Sequence, residues 1–277
     1  RMPDLKLTGI YRLTSIGRPV DPGHPWNRAL LIALPLLALT SAVIALLKDG
    51  SPFAAAFAAL LSGFAAWALT RELAPDDDAA AFVALALAFV GHVAFSADAV
   101  LLVFVALFLV RIVNRSTGLA ARPFDTVTVL GLVLWVGLAG DAPLILIIGA
   151  CAFLLDASLV DPLRRHYAAA AICIAAYVWQ LIAGDLRLSG PGDSGWWVLG
   201  TFLLATLAAA WFRPPPASPC DVSAEPLDRL RVDAGLLLGY LLAAQGVLQD
   251  GSEAWFSTPI WACIAAVPLT LLFRRAV

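Results

Sequence analysis

The sequence predicts an all-α, polytopic integral membrane protein: about ten transmembrane helices arranged as five consecutive helical hairpins, with N- and C-termini cytoplasmic. Three observations predict it: the composition, the spacing of the apolar blocks, and the unequal sharing of basic residues between two kinds of loop.

Of 277 residues, 61% are hydrophobic and 14% charged, and the mean hydropathy is +0.87. A soluble domain carries about 45–50% apolar and about 25% charged residues, so a soluble protein with a large core is excluded. A formal net charge of −2 argues against a nucleic-acid-binding surface, and no nucleic-acid partner is expected. Cys151, Cys173, Cys220 and Cys263 show no metal-ligand spacing, and no disulfide framework is expected.

The apolar residues fall in blocks near 29–47, 53–70, 79–96, 99–113, 126–139, 142–159, 167–183, 195–212, 233–248 and 255–273. The first holds 19 uncharged residues, Ala29 to Leu47, above the roughly 18 that mark a spanning helix. It is too long for a cleaved leader and is followed by further spans. Several later blocks are shorter than the usual span of about 20 residues, so their ends are loosely defined.

The connections alternate. One kind is short and carries Asp with small residues: "LKDGSP", "FSADAV", "LAGDAP", "IAGDLRLSGPGDSG" and "LQDGSE". The other carries arginine: "TRELAPDDD", "RIVNRSTGLAARPFD", "VDPLRRH" and "FRPPPASPCDVSAEPLDRLRVD". The Asp loops hold only Lys48 and Arg187, which leaves 16 of the 18 basic residues on the other side. By the positive-inside rule the arginine loops face the cytoplasm. A bacterial or archaeal cell (inner) membrane is the expected location.

The stretch "WVGLAGD" (Trp135 to Asp141) returns as "WQLIAGD" (Trp179 to Asp185). Asp49, Asp98, Asp141, Asp185 and Asp250 each fall at a turn between apolar blocks, where a carboxylate suits the N-cap of the next helix. Asp98, Asp141 and Asp185 are therefore expected as structural caps, with Pro143 just inside its helix and the Trp residues at the membrane interface. The repeat is the imprint of hairpin geometry.

Four segments follow: a basic membrane-surface segment over 1–26, an eight-helix membrane domain over 27–212, a Pro-rich cytoplasmic loop over 213–227, and a final transmembrane hairpin over 228–277.

Within the apolar blocks the only polar groups at mid-depth are mild: Thr40, Ser41, Ser62, Tyr177, Thr206 and Tyr240. This counts against a carrier coupled through buried carboxylates. Asp156 is expected roughly 21 Å into its span, near the cytoplasmic edge, at 1.5 Å per residue. It most cheaply pairs there with an arginine from the neighbouring loops. The candidate binding residues are Asp76, Asp77, Asp78, Arg111, Arg115, Asp156, Arg164 and Arg165, because carboxylates facing guanidinium groups suit a divalent ion and a phosphate. Against that, "APDDDAA" also reads as an ordinary helix start. Whether a metal is held there stays open, no catalytic residue is nominated, and no cofactor is expected. None of the H-E-x-x-H, G-x-S-x-G or G-x-x-x-x-G-K-[ST] patterns occurs.

Three functions remain: a small transporter or permease-like protein for a small or largely apolar substrate, which leads; a non-catalytic scaffold or subunit of a larger membrane complex; and an enzyme acting on a lipid phosphate at the cytoplasmic interface. The balance favours a non-enzyme. Membrane lipids and other membrane-protein subunits are the candidate partners. The topology is checked in a cysteine-free background. Asp98→Cys, Asp141→Cys and Ser252→Cys are expected to react with an impermeant thiol reagent added to intact cells, and Arg115→Cys and Arg165→Cys are not. The reverse pattern would invert the orientation.

Overall fold

The computed structural model describes residues 9–95, 100–140, 142–184, 188–250 and 257–276. These form a single 3-10 turn, Gly9–Arg12, and ten α-helices: α1 (Pro25–Leu47), α2 (Pro52–Leu73), α3 (Asp78–Phe95), α4 (Val100–Asn114), α5 (Pro123–Ala139), α6 (Leu144–Ser158), α7 (His166–Ala183), α8 (Asp193–Phe212), α9 (Arg229–Asp250) and α10 (Thr258–Ala276). Among the described residues there is no strand beyond one isolated bridge between Pro219 and Pro226. Each helix coincides with one of the apolar blocks. Six of them (α1, α2, α3, α7, α8 and α9) are long and apolar enough to cross a membrane, as an integral membrane protein requires; the apolar runs of α4, α5, α6 and α10 are 10–17 residues long.

The helix ends have local causes. Pro25, Pro52 and Pro123 open α1, α2 and α5 at positions where no amide donor is needed. The α2 cap is the Ser51 hydroxyl, which accepts from Ala54 N at 3.4 Å. Asp49 is not the cap: it adopts a left-handed backbone with φ 56 just after α1. Asp250 closes α9 rather than opening a helix, α6 begins at Leu144 one residue beyond Pro143, and α8 begins at Asp193. Asp98, Asp141 and Asp185 lie outside the described residues. The two copies of W-x-x-x-A-G-D differ at their glycines: Gly184 ends α7 in the left-handed region at φ 78, whereas Gly140 ends α5 at φ −105.

Helix α8 displays how the apolar surface is distributed. Trp196 and Trp197 are exposed at one end, Trp211 and Phe212 at the other, with Leu204 exposed between them. Fifteen residues of helix separate Trp196 from Trp211, about 22 Å at the α-helical rise. Indole rings at two such levels suit the two interfaces of a bilayer. Trp135 and Trp179 are exposed as well, at 65% and 68%.

The chain divides into two compact units. The first takes the described residues of 1–19, 108–187 and 214–238. Here α5, α6 and α7 pack on one another. Small residues bring α5 and α6 close: Gly137 lies against the Leu146 side chain, and a Cβ at Gly149 would stand 2.6 Å from Val133 Cγ1. The second takes the described residues of 20–107, 188–213 and 239–277. In it α1 packs on α2, α2 on α3, and α10 against α2, α3 and α8. Ser41 Oγ of α1 reaches His92 Nε2 of α3 at 2.9 Å and donates to Ala55 O of α2 at 3.0 Å, so one hydroxyl links three helices.

Gly149→Ala is expected to lower stability by about 1–3 kcal/mol, since Val133 is stiff at χ1 and cannot retreat. Gly131→Ala, on the exposed face of α5 where an added Cβ meets nothing within 4 Å, is expected to be neutral or slightly stabilising. Thermal melting of both variants in detergent checks the pair.

Candidate functional site

The strongest concentration of charge in the first unit surrounds Asp156, three residues from the end of α6 and fully buried. Its Oδ1 accepts from Arg115 Nε at 2.7 Å and from Arg231 Nη1 at 2.9 Å. Its Oδ2 accepts from Arg115 Nη2 at 3.1 Å and lies 2.8 Å from His166 Nδ1. Arg115 follows α4 in the left-handed region, at φ 49, which turns its guanidinium back under the helix ends. Its Nη1 donates to the exposed Asp161 at 3.0 Å. Arg231, in the first turn of α9, also donates to Val113 O at 2.7 Å and to Val160 O.

His166 opens α7 and is fully buried. Its Nε2 is 2.9 Å from Thr126 Oγ1 in α5, and its ring meets Phe153 edge-on at 5.1 Å. The ends of α4, α6, α7 and α9 therefore converge on one carboxylate, and α5 joins through His166. The paired Arg115 geometry is the bidentate form in which two charge-assisted bonds fix both distance and angle. Asp156 and Asp161 balance Arg115 and Arg231 in formal charge. A buried cluster of this kind is close to neutral for stability as a whole, but removal of one member leaves an uncompensated charge.

A second buried carboxylate, Asp125, holds the N-terminal segment. It accepts from Thr14 Oγ1, from Ser15 N at 2.9 Å and Ser15 Oγ at 2.7 Å, and from Arg122 N at 2.9 Å at the start of α5. Thr117 Oγ1 donates to Ser15 O at 2.7 Å, and Arg111 Nη1 to Ile16 O at 3.0 Å. The Pro-rich connection docks on the same turn. Asp221 N donates to Ser116 O and Val222 N to Thr117 O, each at 3.1 Å, and Gly118, at φ 78, lies against Ser223 where a side chain would collide. Arg18 pairs with Asp221. Three separate stretches, 9–19, 114–125 and 216–228, thus form one cap. Within it, burial pushes the Cys220 thiol and the Tyr11 phenol up from their ordinary values, so neither ionises near neutral pH.

Of the residues singled out from sequence, Arg115 and Asp156 come together. Arg111 serves the cap, Arg165 reaches Ala121 O, and Arg164 is exposed beside it. Asp76, Asp77 and Asp78 lie in the second unit. There Asp77 accepts from Ala80 N at 3.1 Å, capping α3, and pairs with Arg274 at 2.9 Å. Asp78 faces Arg71 at 3.4 Å, and Arg274 also approaches the Asp76 carbonyl. Among the described residues no three His, Cys, Asp or Glu side chains gather as a metal-ligand set. Sequence reasoning passed over Arg231, His166, Thr126 and Asp125 as site residues. The one available signal was Asp125 at the third position after the Arg122 cap, where a carboxylate reaches back to the cap amide.

Comparisons with protein-family models, with characterised proteins and with solved structures found no match.

Asp156→Leu is expected to destabilise the protein by about 3–5 kcal/mol, because it strands two guanidinium groups in a low-dielectric interior. Asp156→Asn, which keeps the shape but not the charge, should fall between this variant and wild type. Unfolding of the three proteins in the same detergent measures the order.

Proposed function

We propose that the chain is a ten-span protein of a bacterial or archaeal cell membrane, both termini cytoplasmic, acting as a permease-like carrier for a small or largely apolar solute. The observation that supports this lies in the second unit. Thr206 Oγ1 of α8 and Gln245 Oε1 of α9 are buried and have no hydrogen-bond partner among the described residues. In the first unit Gln180 of α7 donates from Nε2 to Gly137 O at 2.9 Å, but its Oε1 is likewise unmatched. Inside a bilayer no solvent is at hand for such atoms, and each costs free energy until something polar arrives. A passing solute, or the water that accompanies it, supplies that partner. One hydroxyl and single amide oxygens favour a solute with few polar groups over a highly charged one.

A scaffold or complex subunit is the second reading, and the three-segment cap favours it: an ordered polar surface is what a soluble or membrane partner needs in order to dock. An enzyme acting on a lipid phosphate has less support, because Asp156 and Arg115 are paired with each other and Asp77 and Asp78 are paired with arginines of the second unit.

Carrier and scaffold differ in whether water enters the interior. In a cysteine-free background, Thr206→Cys and Gln245→Cys are expected to react with a small charged thiosulfonate at least about tenfold faster than Leu204→Cys on the outward face of α8, since only a hydrated thiol ionises. If Thr206→Cys and Gln245→Cys are as inert as Leu204→Cys, the carrier reading fails and the scaffold reading takes its place.

A further inference from the structure

We infer that the N-terminal strap, residues 9–19, is an interfacial membrane element: its apolar side chains enter the headgroup–acyl boundary of the cytoplasmic leaflet and lengthen the lipid-facing surface of α5. The inference needs α5 to cross the bilayer but does not depend on transport.

Two observations carry it. The first is the outward stripe of α5. Phe124 and Val127 are exposed at 65% and 69%, followed by exposed Gly131, Trp135 and Leu138. The spacing of three or four residues keeps them on one helix face. From Trp135, at interface depth, to Phe124 is 11 residues, about 16 Å of helix. The hydrocarbon core is about 30 Å thick, so Phe124 lies well short of the opposite interface. The whole of α5 has 17 residues, about 25 Å at 1.5 Å each. A span this short must be extended by its flanks, or the bilayer must thin around it.

The second is what the strap places at that short end. Arg122 Nη1 donates to Arg12 O, and Thr14 Oγ1 donates to Asp125. Leu13 lies between the two anchored strap residues, and Phe124 lies between their two partners. The strap is thereby held at the very level where the α5 stripe stops. Leu13 is 72% exposed and Ile10 45%, although Ser15 and Ile16 of the same segment are buried. The inward side of the strap is tied through polar atoms to Asp125, Thr117 and Arg111 and also buries Ile16, while its outer side carries Ile10 and Leu13 beside exposed Arg12. Beside a truncated lipid-facing helix the two exposed aliphatic side chains continue the apolar surface. The occupant is therefore lipid.

The test uses the full chain in vesicles of phosphatidylcholine and phosphatidylglycerol, with single nitroxide labels in a cysteine-free background. Leu13→Cys and Ile10→Cys are read for collision with oxygen, which concentrates in lipid, against a water-soluble nickel chelate. Glu225→Cys, exposed in the same cap, is the aqueous reference, and Val127→Cys on the α5 stripe is the lipid reference. The expected result is an oxygen-to-nickel ratio at Leu13 and Ile10 several-fold above Glu225 and approaching Val127. A ratio equal to that of Glu225, with Val127 in lipid, overturns the strap inference alone. A water-like value at Val127 overturns the spanning of α5, and the inference with it.

Discussion

The rest of the first unit depends on the burial of one charge. A carboxylate taken from water into an apolar interior is tolerated only when cations and hydrogen-bond donors surround it. Asp156 meets that condition with two guanidinium groups from opposite ends of the sequence stretch and an imidazole between them. Because these groups have directional requirements, the ends of α4, α6, α7 and α9 cannot slide independently. In a membrane, where apolar helices gain little by touching one another rather than lipid, such a fastener defines which faces meet more sharply than hydrophobic contact does.

The cap extends the same logic outward. Thr117 offers its hydroxyl to the strap and its carbonyl to the Pro-rich connection, while Asp125 takes the strap from the other side. Polar backbone that would otherwise sit unsatisfied at the end of a helix bundle is matched segment to segment. Proline-rich "RPPPASPC" has few amide donors to satisfy; Arg213 N bonds to Ala209 O, and Cys220 N, Asp221 N and Val222 N bond to Glu225, Ser116 and Thr117. The second unit relies less on charge: close packing at Gly63 and Gly91 and the Ser41–His92 pair hold it.

How much of this was legible in the sequence follows from range. Apolar runs act within a few residues, so ten blocks were readable, whereas the one proline expected just inside a helix, Pro143, falls one residue before α6. That Asp156 would pair with an arginine of the neighbouring loops was readable because a charge near the end of a span has few partners. Arg231 was not: "DRLRVD" holds two arginines of equal standing, and only the turn of α9 decides that Arg231 is buried while Arg229 remains near Asp233 at the surface. His166 was hidden for the same reason, beside Arg164 and Arg165. The Asp-loop caps were assigned from composition alone, and at Asp49 the neighbouring Ser51 takes the part because its hydroxyl falls in line with the first free amide.

The order in which a ribosome delivers these groups gives the cluster a history. Arg115 precedes Asp156 by 41 residues, but Arg231 follows it by 75. While α6 and α7 are being made, the carboxylate has one guanidinium and an imidazole; the second guanidinium arrives only after α8 and the whole Pro-rich connection have been made. The first unit is thus assembled across an interval in which a buried network is incomplete, and contacts of such long range are slow to form. Arrival of the first turn of α9 is therefore the step that completes the set of partners, and a chain interrupted before Arg231 would leave Asp156 with one guanidinium and an imidazole.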